Sequence, residues 1–254
     1  MKALARALRA EQLKLRGTLA LWMCAVAPAV VVAVFVLQIG FSKFPVDRAP
    51  PPPAEVWELF IQQTLVLWAF LMLPLLVTLQ AALLAGIEHQ GQHWKHLLAL
   101  PLPRHLHYLA KLLALLGMLA MAQLAMFALL PLGGAALMAL KPAFGLAGVP
   151  PLAGLASKLA AIFCACALLA ALHTWIAIRW RSFAVAVGIG MAATVMGFLI
   201  GQSARFGPWY PWTLPMQVLA NDPDVPARVV AWSVSAAVVA TLGGLAWFRR
   251  SEPA

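Results

Sequence analysis

Five of the six histidines fall within nineteen residues: His89, His93, His96, His105 and His107. The spacing His-x3-His-x2-His over the first three would gather imidazoles on one side of a helix, a pattern that can hold iron or zinc. The zinc-protease order His-Glu-x-x-His is absent, because Glu88 precedes His89, and only His173 lies elsewhere to extend a ligand set. Gly86 and Gly91 have the Gly-x4-Gly spacing of a phosphate loop, but Gln92 and His93 follow where Lys and Ser or Thr are required. ATP binding by that route is excluded. A third chemistry is docking. Trp94, Leu97 and Leu98 recur at i, i+3 and i+4, so a short helix over this stretch has one apolar face, flanked by His93, Lys95 and His96 and ended by Pro101 and Pro103. An apolar face of that kind, turned to water, calls for a partner.

The elements that must position this stretch are membrane spans. Of 254 residues, 63% are hydrophobic and 10% charged, with a mean hydropathy of +0.89; soluble domains carry about 25% charged residues. A span needs roughly 20 apolar residues, and six stretches qualify, near 17–39, 61–87, 109–140, 154–178, 183–201 and 227–248. The expected fold class is therefore an all-α polytopic membrane protein. Its expected parts are an interface helix over 1–16 and a six-span domain over 17–250. The first apolar run is long enough to be a retained span rather than a cleaved signal.

Basic residues favour the cytoplasmic side. With the N-terminus inside, twelve of the eighteen Lys and Arg face inward, and both termini are expected in the cytoplasm. The net charge of +10 then reflects membrane topology and anionic headgroups rather than nucleic-acid binding. Cys24, Cys164 and Cys166 all fall in apolar stretches and read as small core residues.

Outside the spans, residues 1–16 form an amphipathic surface helix, with Leu4, Leu8, Leu15 and Glu11 on one face and Lys2, Arg6, Arg9 and Arg16 on the other. Four consecutive prolines precede a short helix expected from about Ala54. Residues 202–228 carry Trp209, Tyr210 and Trp212, interleaved with Pro208, Pro211 and Pro215. A short re-entrant or surface helix is expected there, at the depth where aromatic rings prefer to lie. Within the spans, Gln80, Gln123, His173 and Thr174 are the polar candidates for lining a pathway, with Trp209 and Trp212 beside them; polar groups in such places also serve as helix-to-helix hydrogen bonds. His173, two turns from Arg179, reads as within reach of water. Gly188, Gly190, Gly197 and Gly201 permit close packing, with a second copy of the chain as the expected neighbour.

Glu11 with Lys14-Leu15-Arg16, Glu88 with Trp94 to Pro101 and Arg104, Tyr108 with Lys111, and Pro211-Trp212 with Pro215 together give the chain its resemblance. It resembles the membrane subunits of ABC-2 type transporters, and most of all the small six-span permeases of lantibiotic-immunity and related bacterial exporters. The resemblance implies a transport subunit rather than an enzyme. It needs no cofactor of its own; ATP and Mg²⁺ would bind to two copies of a separate ATPase, and a second permease chain, identical or related, would complete the assembly in the bacterial inner membrane.

It also implies an ATPase interface made from Glu11 of the surface helix and from the 88–104 coupling segment: Glu88, Gly91, Trp94, Lys95, His96, Leu97, Leu98, Leu100, Pro101 and Arg104. The link Arg179-Trp180-Arg181 would be a second contact, or only a topological signal. The implied cargo is a peptide antibiotic or other amphipathic molecule moved outward. A membrane metalloenzyme built on the histidines, and a non-transporting anchor or assembly protein, are the competing readings.

Overall fold

The structure, a computed structural model, describes residues 2–42, 51–90 and 103–250, with the backbone alone at Lys2 and Gln90. The described chain is helical, with no strand among the described residues. We label the helices α1 (Lys2–Leu15), α2 (Leu19–Phe41), α3 (Pro53–Leu67), α4 (Leu73–Gln90), α5 (Arg104–Leu140), α6 (Leu152–Ala165), α7 (Ala167–Arg179), α8 (Phe183–Ile200), α9 (Leu214–Gln217) and α10 (Asp224–Arg250). Six helical stretches are long and apolar enough to cross a membrane: Leu19–Phe41, Pro53–His89, Arg104–Leu140, Leu152–Arg179, Phe183–Ile200 and Asp224–Arg250.

The second stretch begins eight residues before the expected position 61. Proline at the first turn loses no helical hydrogen bond, and Glu55 sits in that turn. The expected short helix and the second span are therefore one continuous rod. It is interrupted only by a π turn at Trp68–Met72. Pro74 supplies the cause: it has no N–H for the carbonyl four residues back and its ring crowds that carbonyl, so the backbone widens locally.

Elsewhere irregular backbone is satisfied by neighbours, as an apolar surround demands. The fourth span breaks at Cys166, between α6 and α7. There Ser233 of α10 donates to the Ala165 carbonyl at 2.7 Å and accepts from the Leu168 N–H at 3.2 Å. Between α8 and α10 the chain turns residues 212–215 and 218–219 inward, with Leu214 fully buried, while the two ends of the segment are exposed. Thr213 Oγ1 and Gln217 Nε2 both donate to the Gly207 carbonyl, at 2.7 and 2.5 Å, and the Tyr210 hydroxyl donates to Ala193 O at 2.8 Å.

Two glycines set the closest approaches of α5. Gly134 lies against the Trp57 ring of α3, and Gly133 against Val32 of α2; a Cβ at either would collide. Trp57 in turn donates to Ala147 O at 3.1 Å. The glycines of α8 have a different use from the one expected. Gly190 is covered by Thr78 and His173, while Gly197 and Gly201 face Thr213. Gly190 and Gly197 are thus buried inside the chain, whereas Gly188, with open space beside it, and Gly201, just past the end of α8, are exposed.

Candidate functional site

The first helix carries an unbroken stripe at helical spacing. Leu4, Ala7, Leu8, Glu11, Lys14 and Leu15 are turned toward the protein, while Ala5, Arg6, Arg9, Ala10, Gln12 and Leu13 are exposed. Four of the inward six are apolar and the other two are charged. Gly17 ends the helix in the left-handed conformation, φ +74°, where a residue without Cβ is unstrained. Thr18 Oγ1 then donates to the freed Leu15 carbonyl at 2.7 Å, and α2 begins at once. This short corner lays α1 along α5.

The two charges on the inward stripe meet two more. Lys14 Nζ stands 2.8 Å from Glu11 Oε1 and 2.8 Å from Glu88 Oε1. Lys111 Nζ stands 2.5 Å from Glu88 Oε2 and 3.3 Å from Glu11 Oε2, and donates to Leu84 O at 3.0 Å. The four groups form a closed ring of alternating sign in which each carboxylate oxygen receives one ammonium. Side-chain exposure is 6% for Glu11, 1% for Glu88, 3% for Lys111 and 29% for Lys14. Charges buried this deeply are tolerated only when paired and hydrogen-bonded. Burial alone would lower the affinity of Lys14 for its proton. The hydrogen bonds and charges of Glu11 and Glu88 outweigh it and hold the ammonium above its ordinary 10.5.

Three elements are tied by this ring. Glu11 and Lys14 come from α1, Glu88 from the end of α4, and Lys111 from the second turn of α5. Glu88 and Lys111 therefore flank both ends of the segment 91–102. Next to the ring, His89 Nε2 donates to the Ala177 carbonyl of α7 at 3.0 Å, which adds the fourth span to the same end of the bundle.

A family model for ABC-2 family transporter proteins matches residues 7–197, which include all four ring residues, the first four spans and most of the fifth. The chain belongs to the ABC-2 family. It is accordingly a multi-pass membrane protein and the permease part of an ABC transporter, a transport subunit rather than an enzyme, and membership implies an ABC ATPase as partner. Among curated proteins no sequence matches this chain.

In this ABC-2 permease the residues singled out by sequence fall into distinct settings. Gly91, His93, Trp94, Lys95, His96, Leu97, Leu98, Leu100 and Pro101 lie outside the described residues. Glu11 and Glu88, expected at an ATPase contact, have their carboxylates turned inward onto Lys14 and Lys111. Arg104 is exposed in the first turn of α5. Arg179 lies 5.8 Å from the ring centres of both Trp180 and Trp247, with Trp175 edge-on to the same two indoles; Arg181 is exposed beside this group. Among the described residues no three His, Cys, Asp or Glu side chains stand together as a metal site would require.

The polar span residues sit in helix contacts. Gln80 Nε2 donates to Cys24 Sγ at 3.2 Å and Ala20 O at 3.4 Å. Gln123 Oε1 accepts from the Trp68 indole at 2.9 Å, and Thr174 donates back to Ala170 O at 2.8 Å. His173 is only 1% exposed, so it is buried rather than within reach of water as its position suggested. Its Nε2 lies 3.2 Å from Thr78 Oγ1, whose proton goes to Pro74 O at 2.9 Å. The hydroxyl is then an acceptor, which places the imidazole proton on Nε2. Trp212 stacks edge-on to this ring at 5.5 Å. Trp209, by contrast, is 60% exposed and packs edge-on to Trp232 at 5.2 Å.

Sequence reasoning flagged Glu11, Lys14, Glu88 and Lys111 separately and missed that they form one ring. A signal was present. Two acids and two bases each lie within three or so turns of a span end, on apolar helix faces, where an unpaired charge would be costly.

Proposed function

We propose that this permease works in an ABC exporter whose paired ATPase subunits bind and hydrolyse ATP with Mg²⁺ and drive an amphipathic peptide out of the inner membrane or the cell. The observation that carries this reading is the buried ring joining α1 to both flanks of residues 91–102. A cytoplasmic ATPase pressing on Trp94, Leu97 and Leu98 would displace a segment whose two ends are anchored to the same charges. The displacement would reach α1, the second span and the third span together instead of being absorbed by a loose loop. Lys95, Arg104 and Arg181 offer charge to an acidic rim on the ATPase, and a second permease chain, identical or related, completes the pathway. Both termini face the cytoplasm in this arrangement, in keeping with the placement of Lys and Arg.

The reading is tested by Trp94→Ala in the assembled, membrane-inserted complex. The variant should insert normally but lose most of the co-purifying ATPase and all ATP-dependent transport. An unchanged amount of bound ATPase would remove the docking role from this segment.

A further inference from the structure

The long α3–α4 rod carries Glu88 at one end of the bundle and Gln62 toward the other, 26 residues and about 39 Å of helix apart. Two adjoining cavities open around Gln62. The larger, about 590 Å³, is an apolar chamber walled by Trp209, Met216, Val225, Val229 and Trp232, with Arg228 among its lining residues. The smaller, about 390 Å³, is lined by Glu58, Ser157, Lys158 and Asn221. Gln62, Leu219 and Ala220 belong to both. Gln62 Nε2 donates to Leu219 O at 2.8 Å and its Oε1 accepts from Lys158 Nζ at 3.3 Å, so one side chain fixes the partition between them.

We propose that these chambers form a single site for a bilayer phospholipid with a zwitterionic headgroup. The larger chamber is in the size range of small-molecule sites, and its walls offer hydrocarbon with few polar groups. It opens beside Trp209, Trp232 and Val66, large apolar side chains that are exposed on this chain, as the mouth of a site filled from the bilayer would be. From Val225 to Trp232, along one face of α10, it extends about 10 Å into the bundle, which suits an acyl chain entering from the side.

Charge settles the headgroup. Lys158, paired with Glu58, lines the polar chamber, while Arg228 lines the apolar one and stands 3.9 Å from Asp222, both of these side chains more than half exposed. Asp224 opens α10 nearby. Cations and carboxylates are therefore balanced to slightly acidic. A purely anionic head would meet no surplus of positive charge, whereas a phosphate with its own ammonium finds Arg228 and Lys158 for one group and Asp222 and Glu58 for the other.

The test uses the full chain, purified in maltoside detergent, incubated with equal amounts of dioleoyl phosphatidylethanolamine and dioleoyl phosphatidylglycerol and read by native mass spectrometry. The expected result is one tightly retained phosphatidylethanolamine per chain, favoured by about tenfold. Ala220→Trp, which fills the shared wall from an exposed position, should remove it. Val239→Trp, on an exposed part of α10 away from both chambers, should leave it. Arg228→Gln, at an exposed position, removes a cation that would hold the phosphate and leaves the carboxylates in larger excess; it should lower retention of phosphatidylethanolamine and, more steeply, of phosphatidylglycerol, widening the preference, and serves as the deciding variant if Ala220→Trp is poorly folded. Equal retention of both lipids, or a preference untouched by Ala220→Trp and Arg228→Gln, would overturn the proposal and leave ordinary boundary lipid.

Discussion

The two ends of this bundle use the same kinds of charged side chain in opposite ways. At one end Glu11, Lys14, Glu88 and Lys111 close a ring, and three of the four are almost wholly buried. At the other, Lys158 pairs with Glu58 and Arg228 stands near Asp222 in pairs that water reaches. Exposed pairs contribute little because solvent screens them and the side chains lose entropy. Buried charges are different. Removing one member strands its partners in a medium that cannot solvate them, so the members stand or fall together. One end is consequently a rigid joint between three elements, and the other is an adaptable rim around cavities.

The contrast can be broken most severely at Glu88. Glu88→Ala leaves both ammonium groups without half of their carboxylate partners, and should cost about 3–5 kcal/mol, read as a large loss of folded, monodisperse protein in detergent. Next in size are the close approaches that set helix spacing. Gly134→Leu drives a side chain into Trp57, and Gly244→Leu drives one into Tyr108; each should cost about 1–3 kcal/mol, seen as a lowered thermal midpoint.

At the exposed end, Lys158→Ala or Arg228→Ala should shift stability by about 0–1 kcal/mol, within the scatter of the same assay. The smallest effect near neutrality is that of pH on Lys14. Its folded affinity for a proton exceeds the unfolded one, so its contribution is fully present below 10.5 and is lost only as pH rises through the raised value. Attachment of α1, followed by protease protection of its Arg6 and Arg9 sites, should hold through mildly alkaline conditions and fail above that limit.

How far these features were legible in the sequence differs by kind. Length, hydropathy and basic-residue placement indicated an all-α polytopic chain, because an apolar run of given length has few alternatives in lipid. The stripe on α1 was also legible, since a 3.6-residue period needs only local sequence. What pairs across the bundle was not. Glu11 and Lys111 are a hundred residues apart, and no local pattern encodes their meeting. The expected start of the second span at 61 was late because hydropathy falls near Glu55 and Glu58, although helix propensity continues to Pro53. The glycines of α8 were assigned to a second copy because spacing gives a close approach but not the identity of the neighbour; Thr78, His173 and Thr213 occupy it.

The ring itself is tested most directly by reversing its charges in steps and measuring folded protein and retained ATPase for each variant. Alternation runs Glu11, Lys14, Glu88, Lys111, so Glu88→Lys with Lys111→Glu sets like charges side by side at two edges. The expected result is that this double reversal stays as damaged as Glu88→Lys alone, and that recovery appears only when Glu11→Lys and Lys14→Glu are added to restore the alternation. Full recovery in the double variant would mean a simple pair between α4 and α5, with α1 outside the joint, and would contradict the account.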